Sequence, residues 1–108
     1  MTTAFVKPGA CGLESKIMVT KKNVDSDNYC VDIHIESESD NIKRLAKELT
    51  EVNGFEEVFK SFLTSEVYRL SSKCKLHLAC PVPCAIIKAV EVECGLALPR
   101  DVEIKISR

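Results

Sequence analysis

The chain has 108 residues, 45% hydrophobic and 29% charged, which is enough apolar side chain for one core and too little length for two. Fifteen Lys and Arg against sixteen Asp and Glu leave a net charge of −1. No cationic excess exists to hold a phosphate backbone or an anionic bilayer, so nucleic acid and membranes are not expected partners. No apolar run approaches the ~18 residues of a spanning helix, and "MTTAFVKPGACG" lacks the h-region of a secretory signal, so a cytoplasmic single domain over residues 1–108 is expected. In a reducing compartment its six cysteines read as metal ligands, redox groups or core filler rather than disulfides.

In chain order, the first feature is the loop "KPGACGLES", where Cys11 stands between Gly9 and Gly12. Glycines let the backbone turn tightly and present one thiol. The G-x-x-G pattern has no following Lys-Ser/Thr, so it is not a phosphate loop. "SKIMVTKK" and "NYCVDIHIES" are rich in β-branched residues and separated by the turn formers "NVDSD", which predicts a hairpin. In the second strand Tyr29, Val31, Ile33 and Ile35 share one face, and Cys30, Asp32, His34 and Glu36 share the other, so helices are expected to cover one face only.

Ser39 or Asp40 can cap a helix carrying Ile42, Leu45, Ala46, Leu49 and Val52, with Asn53-Gly54 as its stop. Phe55, Val58, Phe59, Phe62 and Leu63 repeat the helical spacing, and "TSEVYRLSSKC" supplies a further helix through Val67, Leu70 and Cys74. "CKLHLAC" fits a strand, a helix tail or a loop. The last helix is expected from Pro81 to Cys94, with Gly95 closing it, and "DVEIKIS" as a final strand with Val102, Ile104 and Ile106 facing in. The resulting order β-β-α-α-α-β predicts an α+β two-layer sandwich, a small, mostly antiparallel sheet with helices on one face.

On a 100° wheel Val82, Ile86, Ile87, Ala89, Val90 and Cys94 form the sheet-facing arc of the last helix, while Cys80, Cys84 and Lys88 align along another stripe. Unpaired N–H groups at a helix start favour thiolate over thiol at these two cysteines, and Cys84 also has the Lys88 ammonium one turn away. Pro81 and Pro83 stiffen the approach and fix the direction of both sulfurs. His77, Cys80 and Cys84 form H-x2-C-x3-C, ligand types that zinc accepts, and Cys11 completes a set of four metal-ligand candidates. Exchanging His77 for Cys74 gives a four-cysteine set suited to an iron–sulfur cluster. Cys30, Cys74 and Cys94 read as packing residues, and His34 as a solvated histidine.

Three functions follow from these residues. The first is a metal- or cluster-binding carrier, sensor or assembly partner. The second is a thiol redox protein or cysteine-nucleophile enzyme using Cys80 and Cys84, with His77 as base. The third is an interaction domain with inert cysteines, which docks a protein partner or a second copy of itself. No residue identifies a substrate or a reaction.

"VKPGACG", residues 6–12, and "HLACPVPCAIIKAVEVECGLALPRDVEI", residues 77–104, resemble a family of short uncharacterised proteins of anaerobic bacteria and archaea. The resemblance spans nearly the whole chain and puts Cys11, His77 and Cys80 on its matching positions. It implies one cytoplasmic domain and no established activity. A further cysteine after the second strand would fit that resemblance, whereas this chain has Ser37 and Ser39 there.

Overall fold

The computed structural model describes residues 1–22 and 29–108, so the turn between the two predicted hairpin strands lies outside the described residues. Four strands, β1 (Thr2–Val6), β2 (Ser15–Lys21), β3 (Cys30–Ser37) and β4 (Glu51–Asn53), form an antiparallel sheet in the order β1-β2-β3-β4. The predicted hairpin partners do pair, with Ile17 opposite Ile35 and Val19 opposite Ile33. Strict alternation buries Val31, Ile33 and Ile35 on one face and leaves Asp32, His34 and Glu36 exposed on the other. Each fully buried aliphatic side chain, such as Ile17 or Val19, contributes on the order of 2 kcal/mol.

Helix α1 (Asp40–Glu48) starts where Ser39 Oγ accepts the Ile42 N–H. It ends earlier than its spacing predicts. The Ile33 N–H donates to the Thr50 carbonyl, which pulls the chain onto the sheet, so Val52 is buried in β4 rather than on a helix. Asn53 and Gly54 do not stop a helix either, because Asn53 Oδ1 accepts the Glu56 N–H and starts α2 (Gly54–Val58). Phe59, Phe62 and Leu63, expected to continue that helix, follow its end and are exposed.

Helix α3 (Glu66–Lys73) is capped by Ser65, and it buries Val67 and Leu70 as predicted. Cys74 is buried beside them at its C-cap. "CKLHLAC" is a loop, entered through Lys75 at φ +63°. Helix α4 (Val82–Glu93) ends as predicted on Gly95 at φ +74°, with the Gly95 N–H on the Val92 carbonyl and the Leu96 N–H on the Glu91 carbonyl. It packs over β1 and β2 while α1 packs over β3, and α2 and α3 lie against α4, so the helices form one layer.

The fold class is therefore the expected α+β sandwich, but the element order is β-β-β-α-β-α-α-α. The correction is at both ends. Thr2–Val6 is a strand that the sequence reading left out, and the predicted last strand does not join the sheet. Among the described residues nothing pairs with 101–107, and Val102, Ile104 and Ile106 point into solvent rather than inward.

Candidate functional site

Three segments meet at the N-terminal end of α4. The loop after β1 turns on Gly9 at φ +85° and Gly12 at φ +69°, closed by the Gly12 N–H on the Gly9 carbonyl at 3.0 Å, and this turn presents Cys11. The loop after α3 is held to α1 by Asn41 Nδ2 on the Lys75 carbonyl. It then tightens through the Cys80 N–H on the His77 carbonyl at 3.1 Å. As a result Cys11, His77 and Cys80 line one cavity of about 210 Å³, together with Ser39 and Asn41 from the start of α1.

Burial pushes the Cys80 thiol up from its ordinary value, the Val82 N–H pulls it back in part, and the nearby Cys11 raises it further. The helix start was expected to favour thiolate at this cysteine, but desolvation outweighs the single N–H that reaches it. Among the described residues no three His, Cys, Asp or Glu side chains are grouped closely enough to hold a metal ion.

Cys84 stands apart from this set. The predicted stripe of Cys80, Cys84 and Lys88 requires all three on one helix, but α4 starts at Val82, with Pro81 as its cap and no side-chain cap bond. Cys80 precedes the helix, and the two cysteines line different cavities. The Cys84 side chain is exposed and lines a second cavity, of about 380 Å³, with Tyr68, Phe62 and Lys88. Burial raises the Tyr68 hydroxyl above its ordinary value, with a smaller push from Cys84.

Cys94 is buried as expected, but it lies against Gly54 of α2, where the wheel had it facing the sheet. Its thiol donates to the Tyr29 carbonyl at 3.8 Å, and burial is the main force raising its pKa. A Cβ on Gly54 would collide with Cys94 Sγ, so this glycine serves close approach of α2 to α4. Cys30 is half-buried opposite Asn53. His34 is exposed, with Nε2 3.4 Å from Glu36 Oε1.

Two carboxylates matter that the sequence reading did not single out. The Glu57 side chain, 1% exposed, accepts the Ser65 hydroxyl and the Glu66 and Val67 N–H groups, and thereby caps α3 from another helix, with Lys60 Nζ 3.5 Å away. Glu93 accepts the Thr2 hydroxyl and the Lys21 N–H, each at 2.8 Å, and faces the N-terminal ammonium. Glu57 reaches from α2 to the start of α3, and Glu93 joins α4 to β1 and β2 far away in sequence, neither of which helical spacing reveals.

Fold and corner together define a small α+β protein with a thiol-lined cavity at one end of its helix layer. Residues 2–106 match the model of a family described as "Family of unknown function (DUF6951)", and the chain belongs to that family. No curated protein and no solved structure matches the chain. No helix among the described residues is long and apolar enough to cross a membrane.

Proposed function

We propose that the protein is a thiol-dependent binding protein of the cytoplasm, acting as a metal carrier, sensor or assembly partner, and that its ligand is a thiophilic metal ion held by Cys11, His77 and Cys80. One observation carries this reading: three side chains of zinc-binding types, from two loops on either side of α1, line the same cavity. The ligands are not gathered around an ion beforehand, so binding closes the Cys11 turn onto His77 and Cys80. Open space around Gly9 and Gly12 leaves room for that movement.

A single ion suits the corner better than an iron–sulfur cluster. A cluster would need further thiolates, and Cys74 is committed to the core while Cys84 faces the other cavity. The raised Cys80 pKa also disfavours a free nucleophilic thiolate there, whereas a metal displaces the thiol proton on binding. Zinc affinity therefore rises with pH, by about tenfold per unit for each proton displaced.

Zinc titration of the reduced protein without oxygen, against a competing chelator and across pH, tests this. One zinc per chain with that pH slope supports the reading. Absence of stoichiometric binding by either zinc or ferrous iron sinks it.

A further inference from the structure

The segment 101–107 carries apolar side chains that the fold does not absorb. Val102, Ile104 and Ile106 alternate with Glu103 and Lys105, the pattern of a strand with one dry face. They are nevertheless 59%, 75% and 92% exposed. Glu103 and Lys105 pair with each other at 3.3 Å on the opposite side, which keeps that side wet. The last backbone bond before the segment is the Arg100 N–H on the Leu98 carbonyl, a bend around Pro99. Beyond it, among the described residues, the chain has no regular secondary structure and no ladder partner.

A matching vacancy lies elsewhere in the same molecule. β1 is an edge strand, bonded to β2 on one side only, and an open edge of this kind is a template for another strand. α4 lies over β1 and β2, tied there by Glu93 on Thr2. Its Ile87, Lys88 and Glu91 face the cavity shared with α2 and α3. The opposite flank, toward the free side of β1, carries the half-buried Ala85 and Val92.

We propose that residues 101–107 are the exchanged strand of a homodimer, laid along the free edge of β1 in a second copy with Val102, Ile104 and Ile106 under the Ala85 and Val92 flank. A second copy is the occupant because, among the described residues, each chain carries one unpaired apolar segment and the open β1 edge, the longer of its two edge strands. A two-fold exchange fills both and closes, whereas a one-way addition would leave one of each open. The other edge strand, β4, is three residues long and offers too short a ladder for a seven-residue segment.

Native mass spectrometry of the full chain across a dilution series, paired with hydrogen exchange at the amides of residues 102–106, tests this. The expected result is a dimer whose protection at these amides falls as dilution separates it. Ile104→Pro removes one N–H from an exposed position. It should weaken dimerisation by roughly tenfold or more while leaving the helical circular dichroism unchanged. A monomer at every concentration overturns the proposal, whether its tail is unprotected or is protected by docking on its own β1. A dimer indifferent to Ile104→Pro overturns it as well.

Discussion

At its C-terminal end α4 is tied on every side. Glu93 holds the Thr2 hydroxyl and the Lys21 N–H, Cys94 donates to the Tyr29 carbonyl against Gly54, and Gly95 completes the closing turn. At its N-terminal end Pro81 caps the helix without a side-chain bond, and the neighbouring Cys80 looks into a cavity beside Cys11 and His77. The two ends use the same residue type to different effect. A cysteine whose surroundings are closed and hydrogen-bonded is structural, whereas Cys80, the proposed ligand, lines a cavity with other ligand types.

That contrast predicts large stability effects at one end of α4 and small ones at the other. The largest is expected for Gly54→Ala, because the added Cβ meets Cys94 Sγ, Val90 Cγ1 and the Tyr29 carbonyl, with backbone as well as side chain in its way. Overpacking of this kind costs about 3 kcal/mol, measurable by urea denaturation. A Gly54→Ala variant as stable as the parent would mean that α2 and α4 are not in close approach.

Glu93→Ala is next, at about 2 kcal/mol, since it leaves a hydroxyl and a backbone N–H without their acceptor. Its effect depends on pH. Burial pushes the Glu93 carboxyl up, but the Lys21 N–H, the Thr2 hydroxyl and the N-terminal ammonium together hold it below its ordinary value of 4.5. The stabilisation is therefore complete above pH 4.5 and is lost as pH falls through the lower folded value. Denaturant melts of parent and variant should differ most near neutrality and converge in acid. A constant difference across pH would remove the ion from the account.

The smallest changes concern the cysteines themselves. Cys94→Ser is expected to cost about 1 kcal/mol, because a smaller hydroxyl replaces a buried sulfur but still has the Tyr29 carbonyl to donate to. Cys80→Ser should stay within about 0.5 kcal/mol of the parent, since a serine hydroxyl can take over the Val82 N–H. Thermal melts of the two proteins check the order, and a reversal would exchange the roles of the two ends.

Much of the frame behind this contrast was legible in the sequence because it is local. Alternation in 30–37 showed which side of the sheet is dry, and helical spacing picked out the buried Val82, Ile86, Ala89 and Val90 of α4, whereas Ile87 from the same expected arc lines the cavity shared with α2 and α3. The misses are long-range. β4 is three residues selected by pairing with β3, so nothing in Glu51–Asn53 distinguishes it from the end of a helix. The alternation of Val102, Ile104 and Ile106 says which side of a strand is apolar but not what covers it. At the site, the convergence of Cys11 on His77 and Cys80 needed the folded chain. Cys84 lines the other cavity with Tyr68 and Lys88, so its spacing of four from Cys80 did not bring the two into one cavity.

The central claim is that the open end of α4 binds and the closed end does not. The direct test is the zinc affinity of the reduced parent, Cys80→Ser and Cys94→Ser, measured side by side without oxygen against one chelator. Loss of a thiolate ligand should weaken zinc binding by about a hundredfold or more in Cys80→Ser, while Cys94→Ser should bind like the parent despite being the less stable of the two. Equal affinities in all three proteins, or a loss confined to Cys94→Ser, would contradict the account.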